Sequence, residues 1–428
     1  MDRKERPMRR FDLQGNRIAK ESAHMISDKT EPGNKKGDLE KKTRMHSKWI
    51  VLLAGMIGLL TLCIGCGSAS EAKKDEEPKQ IVVVDDTVVL PTKAPTPSPT
   101  PTPTPEPVYE PVVLGFVGDI FLGNQVYNTY VDAGNDITAI LKDGMLDLFR
   151  GVDIMVANHE YCTTTSTAID TNQIYNIKTV KEHEPLWNEM GVDVVSLANN
   201  HMLDFGRVSV LDTIEALDEV GVLHCGAGEN LDAALKPVII EQGGKKIAIL
   251  AATRVICAYG WNATSDKPGV MTTYESTEYF GMVKDEITRL KQEENCDFVI
   301  AYVHFGTENT TELNASQKKI SHEYIDSGAD LIMGAHAHTL QGIEIYNGKP
   351  IYYNMGNFIF TSRKDNTMFV EIQIQEDNSC ITRIYPGLTN GTITSLAGEE
   401  DKQRIIDYVE KISVNVQIDD EGFVTISE

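Results

Sequence analysis

LIMGAHAH, residues 331–338, decides the fold. Leu331–Ala335 reads as a buried strand, and it stops at two histidines spaced two apart, His336 and His338. Four other segments end the same way. Val112–Gly118 runs into Asp119, Val152–Ala157 into Asn158-His159-Glu160, Val192–Ala198 into Asn199-Asn200-His201, and Phe298–Val303 into His304. Near-continuous apolar runs are the signature of parallel strands covered on both faces. Such strands place their carboxyl ends on one edge of the sheet, where ligands bind. Carboxylates, an amide and imidazoles therefore converge from distant points of the chain. Oxygen and nitrogen ligands of this kind suit divalent Mn, Fe or Zn, one or two ions per chain.

Outward from these runs, apolar stretches bounded by Gly, Asp or Asn alternate with helical patterns at Asp212–Val220 and Lys284–Glu294. That alternation predicts an α/β architecture. Further strands are expected near 222–225, 237–241, 246–252 and 351–354. Phe369–Ile374 and Cys380–Tyr385 alternate in polarity and predict antiparallel edge strands. The main domain is placed at 111–395. A tail at 396–428 follows, with a helix at Glu399–Ile412 and a strand near Phe423–Ile426, expected to cap it.

The amino-terminal quarter has another character. Trp49–Gly65 is an uncharged apolar run preceded by Lys41, Lys42, Arg44 and Lys48. It reads as a signal or membrane anchor that leaves positive charge inside. Its end, Cys63-Ile64-Gly65-Cys66-Gly67-Ser68, resembles a bacterial lipoprotein cleavage site with Cys66 as the lipidated residue; Cys63 stands where that pattern prefers Leu. Residues 1–48 are a basic polar segment, and Met45 offers an alternative start that gives an ordinary compact signal. Residues 67–110 form a linker whose TKAPTPSPTPTPTPEP stretch favours polyproline II. At about 3.1 Å per residue that stretch spans roughly 50 Å, enough to hold a domain off a membrane.

The formal charge is −23 overall. Residues 1–48 carry 14 Lys/Arg against 8 Asp/Glu, a net +6, which leaves −29 on the remainder. So acidic a body excludes nonspecific nucleic-acid binding, which depends on Lys and Arg neutralising phosphates. The seven cysteines show no disulfide or zinc-knuckle spacing, and the five beyond Cys66 read as buried thiols.

Taken together, Gly118-Asp119, Asn158-x-Glu160, Ala198-Asn199-Asn200-His201 with Asp204 and Gly206, His304-Phe305-Gly306-x-Glu308, Gly328-Ala329-Asp330, Gly334-x-His336-x-His338 and Tyr353-Asn354-Met355-Gly356-Asn357-Phe358 resemble the calcineurin-like metallophosphoesterases. Among these, the capsule-synthesis CapA (poly-γ-glutamate synthesis) family is the closer match, over about residues 112–360. The resemblance implies a four-layer α-β-β-α sandwich on the outward side of the cell membrane. It implies partners too: an anionic capsule polymer or its precursor, and the membrane proteins of a polymer-synthesis complex.

Carried over by position, the resemblance gives Asp119 and His338 to one metal, and Asn200, His304 and His336 to a second. It places Glu160 where a bridging carboxylate, usually Asp, belongs. His201 would contact substrate, with Asp204 either orienting it or capping the next helix. Glu308 would face metal or substrate. The departure is Phe121, where such phosphoesterases carry the His of an Asp-x-His motif. One metal site thus lacks an imidazole. His159 is adjacent in sequence, but strand alternation points it away from Glu160. Two functions follow: a metal-dependent hydrolase acting on a phosphoester or an amide-linked polymer, or a non-catalytic metal-binding scaffold that grips polymer or partner proteins.

Overall fold

A computed structural model of the chain describes residues 109–171, 173–360 and 363–427. The signal or anchor, Cys66 and the Pro/Thr linker lie outside the described residues.

Two sheets face each other. In the first, β1 (Val112–Ile120), β2 (Ile154–His159), β3 (Val194–Ser196) and β4 (Leu223–Cys225) run parallel in that order. In the second, β5 (Val238–Gln242) pairs antiparallel with β6 (Lys245–Thr253). Parallel to β6 follow β7 (Phe298–His304) and β8 (Leu331–Ala335). The hairpin strand β9 (Ile343–Tyr346) lies on the outer edge, antiparallel to β10 (Lys349–Tyr352), which pairs parallel with β8. The short β11 (Asn357–Ile359) returns to β1. The long pair β12 (Asp365–Ile374) and β13 (Cys380–Thr389) then extends the first sheet antiparallel to β1.

Strand alternation builds the layers. Leu114 and Phe116 of β1, Ile154 and Val156 of β2, Ile247 and Ile249 of β6, Phe298, Ile300 and Tyr302 of β7, and Leu331 and Met333 of β8 all join one core between the sheets. Their odd-and-even neighbours face outward. Met155 and Ala157 pack beneath the helices of the first sheet, whereas Val299, Ala301 and Val303 pack beneath Glu278–Gln292 and Ala315–Asp326 on the second. Three cores between four layers make an α-β-β-α sandwich, as expected. The strands predicted at 369–374 and 380–385 exist and are antiparallel, but they are not edges. β12 lies between β1 and β13, and β13 continues to Thr394–Leu396. The helix Glu399–Ile412 buries Ile405, Ile406 and Val409 in the inter-sheet core, and Phe423–Ile426 pairs with β13.

Register is pinned at the amino edge by a repeated device. Just before a parallel strand sits an aspartate whose side chain accepts a backbone N–H from the neighbouring strand. Asp153 takes Val113 N at 3.0 Å, Asp193 takes Met155 N at 2.8 Å, Asp297 takes Lys246 N at 2.8 Å and Asp330 takes Val299 N at 2.9 Å. Across the layers, the Tyr302 hydroxyl donates to the Val117 carbonyl at 2.9 Å. Two glycines permit close approach at the carboxyl edge. A Cβ on Gly118 would lie 1.9 Å from the Gly356 oxygen, and one on Gly334 would lie 2.0 Å from the Tyr353 oxygen.

Replacing Asp193 with Ala leaves the buried Met155 N–H without its charged acceptor. It should cost roughly 1–3 kcal/mol, read as a lower urea midpoint at unchanged slope.

Candidate metal centre

In the second sheet the pinned register carries through to the opposite edge, whereas in the first β1 shifts by one residue against β2 between Phe116 and Asp119. Asp119 stands level with Asn158 and with Asn357 in the first sheet, and His304 stands level with Thr253 and Ala335 in the second. Asp119, Glu160 and His338 bring one ligand atom each within 4.8 Å of one another, and so do Glu160, His304 and His336. Glu160 belongs to both groups. Glu308 forms a third group with His336 and His338, from the exposed side. Every residue assigned to metal from the sequence is therefore in one place. Asn200 joins them through its Oδ1, 2.8 Å from His304 Nε2.

A buried amide ties the carboxylates together. Asn158 Nδ2 donates to Asp119 Oδ1 at 2.9 Å and to Glu160 Oε2 at 3.0 Å. Asp119 Oδ2 lies 3.2 Å from His338 Nδ1, and the backbone N–H of His336 points at the Asp119 carboxylate across the sheet gap. The Asn357 side-chain oxygen holds His338 Nδ1 at 2.9 Å. His201 Nδ1 contacts Asp204 Oδ2 at 2.8 Å, and the same oxygen accepts the Ile177 N–H at 2.8 Å. The helix after it, Arg207–Val220, begins at Gly206 without a side-chain cap. Of the two roles open to Asp204, the structure supports orientation of His201.

His159 turns away, as alternation required. Its ring stacks on Tyr161 and meets Glu184 at 3.4 Å, beneath the helical layer. At the position of the missing imidazole, Phe121 packs against Tyr161 and Phe360, and the Phe360 ring lies 4.7 Å from that of His338. An aromatic wall thus closes the His338 side. Two supporting amides are not given these roles from sequence. The contact of Asn357 with His338 depends on tertiary approach. Asn158 could have been found, because its two-residue spacing from Glu160 puts both on one strand face.

The charges here do not balance. Burial raises the Glu160 carboxyl well above its ordinary range, and the neighbouring Asp119 charge adds to this. Burial acts on Asp119 too, but the hydrogen bond and charge of His338 outweigh it and hold Asp119 well below the usual range. Burial pushes His304 well down, reinforced by His336. Burial and the His338 charge bring His336 to about 3. His338 goes up because Asp119 outweighs its burial. His304 and His336 are thus both pushed towards the neutral imidazole that a metal ligand requires. Among the described residues, the buried atoms Glu160 Oε1 and His336 Nδ1 have no hydrogen-bond partner. Leaving such atoms unsatisfied costs roughly 1–3 kcal/mol each. A divalent cation would satisfy both, so the donor set fits one. The backbone bears strain here as well: φ is 93° at His336 and 54° at His338, a region that costs of order 1–3 kcal/mol per residue.

A carboxyl whose native pKa is raised binds its proton more tightly folded than unfolded. Its stabilising contribution is present at low pH and lost as pH rises through the native value. Glu160→Gln should therefore melt higher than the metal-free protein at pH 8, with the gap closing towards pH 5, in thermal unfolding followed by circular dichroism.

The family model described as bacterial capsule synthesis protein PGA_cap matches residues 113–362. The capsule biosynthesis protein CapA of Bacillus anthracis is 27% identical over 311 residues, 69% of this chain and 72% of that protein. The PGA biosynthesis protein CapA of Bacillus subtilis is 30% identical over 276 residues, 63% of this chain and 70% of that one. A probable polyglutamine synthesis accessory protein of Mycobacterium tuberculosis is 31% identical over 183 residues, 42% and 48% of the two chains. The match takes in all the strand-end motifs from Asp119 to Asn357, and the chain belongs to the bacterial capsule synthesis protein family PGA_cap.

Proposed function

We propose that this chain works in the synthesis or export of a capsule polymer of the poly-γ-glutamate type, outside the membrane, tethered through residues 49–66 or a lipid on Cys66. Its chemistry is metal-dependent hydrolysis at the strand-end centre. The observation that carries this reading is the pair of three-ligand groups sharing the buried Glu160. The capsule and polymer names of its relatives supply the substrate class.

In this reading Asp119, Glu160 and His338 hold one ion, and Glu160, Asn200, His304 and His336 hold the other. When bound, divalent cations supply Lewis-acid polarisation of a phosphoryl or acyl oxygen. The chain's own residues do the rest. Asp204 fixes the His201 tautomer by accepting from Nδ1, which directs Nε2 towards substrate. His201 then hydrogen-bonds the developing oxyanion or delivers a proton to the leaving group. Asn158 keeps the two carboxylates from rotating apart, and Asn357 fixes the His338 ring. Glu308, on the open side of His336 and His338, faces the incoming substrate.

Phe121 favours a second reading. The aromatic wall removes one imidazole from the His338 site, and a centre weakened there would serve as a metal-dependent grip in an assembly complex without turnover.

His201→Ala separates the two. A hydrolase loses polymer production by at least about a hundredfold while metal content is unchanged. A scaffold keeps production, measured in cells lacking their own copy, and that result contradicts the catalytic reading.

A further inference from the structure

One face of the metal centre carries a charge arrangement that the centre does not use. Beyond His338 the chain enters Thr339 and Leu340, which line a cleft of about 280 Å³ together with Asp365, Asn366, Arg404 and Tyr408. Arg404 comes from the helix Glu399–Ile412, outside the stretch matched by the family model.

Two guanidiniums bracket the Asp365-Asn366 corner at the start of β12. Arg363 Nε pairs with Asp365 Oδ2 at 2.7 Å, and its Nη1 donates to the Asn309 side chain. Arg404 Nη2 donates to Asn366 Oδ1 at 3.0 Å and to Asp401 Oδ1 at 2.6 Å. These anchors orient both side chains, so little further entropy is lost when they bind a ligand. The Arg363 and Arg404 side chains are still 48% and 50% exposed. Arg363 Nη2 and Arg404 Nη1 have no hydrogen-bond partner among the described residues.

The corner is wired to the metal centre by two routes. Asp365 interacts with Asn357, whose oxygen holds His338. Asn309, which Arg363 grips, donates its backbone N–H to the Ala337 carbonyl at 2.8 Å, between the two ligand histidines. On a body carrying −29, a polyanion needs local cations to approach. Arg404 lines a cleft that begins one residue after His338, and Arg363 is paired with the lining residue Asp365; beyond their pairing with Asp401 and Asp365, each offers a further guanidinium N–H group to a carboxylate there. Thr339 and Tyr408 line the same cleft as Arg404 and offer a methyl group and a ring face to the aliphatic stem of a carboxylate-bearing unit.

We infer that Arg363 and Arg404 form a subsite for successive carboxylates of a polycarboxylate chain, which lays the chain along the cleft and across the metal centre. This rests on the polymer reading above and names the residues that would recognise it. Arg363 and Arg404 are binding residues, with no part in bond cleavage.

The test is binding, not turnover. The full chain, loaded with Mn(II), is titrated with a fluorescent short γ-linked oligoglutamate, beside Arg363→Gln, Arg404→Gln and the double variant. Each guanidinium removed should weaken binding roughly tenfold, as for a hydrogen bond to a charged group. The double variant should also flatten the salt dependence, which a purely structural loss would leave steep. Metal content and melting temperature should be unchanged, and Arg404→Lys should restore part of the affinity. Wild-type affinity and salt dependence in the double variant would overturn the subsite while leaving the polymer reading intact. Failure of the unmodified protein to bind the oligomer would overturn both.

Discussion

The structure depends on register. Each sheet is parallel where it meets the centre, and a slip of one residue would turn every strand-end ligand to the opposite face. The aspartates at 153, 193, 297 and 330 set that register from the far edge, each accepting the backbone N–H of the second residue of the neighbouring strand. In the second sheet, where parallel strands rise equally per residue, alignment at the start is alignment at the end; in the first, an irregularity between Phe116 and Asp119 shifts β1 by one residue against β2 before the site. Asp119, Asn158 and Ser196 then form one row and Thr253, His304 and Ala335 another. Glycines at 118 and 334 let the backbone of the 353–356 segment approach the two rows.

What the rows bring together is costly without a cation. Two carboxylates and three imidazoles share a space that excludes water, and burial drives most of them towards neutrality. His338 beside Asp119 holds that carboxyl low, whereas burial and the Asp119 charge push Glu160 up. The buried atoms on Glu160 and His336 that lack a hydrogen-bond partner and the left-handed backbone at His336 and His338 add to the cost. A fold holds such a cluster when function requires it, since strain of this kind persists only where the surroundings over-determine it. The supporting amides Asn158, Asn199 and Asn357 are part of that determination. Asn199 alone bonds both the His159 carbonyl and the His201 N–H.

Much of this could be read in the chain. The parallel strands were legible because both faces are buried, which writes them as unbroken apolar runs. The clustered histidines were legible because they terminate those runs. Less legible was whatever depends on tertiary approach. The helix Ala315–Asp326 has a polar, Lys-rich sequence whose apolar stripe is thin, although Asn314 and Gln317 form a capping box. The interior place of β12 was hidden because Glu371 and Gln373 alternate with Met368, Val370 and Ile372 as in a half-exposed strand. Nothing local to Asn357 announces that it holds a ring 19 residues away. The Asp-before-strand device was visible at 153, 193, 297 and 330, but a lone aspartate before a strand reads as a turn residue until its acceptor role is seen.

The central claim is that the shared carboxylate of Glu160 joins two cation sites. Its most direct test is metal content by inductively coupled plasma mass spectrometry on the purified protein after reconstitution with Mn, Fe or Zn, beside His304→Ala and His336→Ala. Two ions per chain, reduced in both variants, is the predicted result. One ion per chain would mean that the aromatic wall at Phe121 has disabled the His338 site. No ion after reconstitution with any of the three metals would contradict the account.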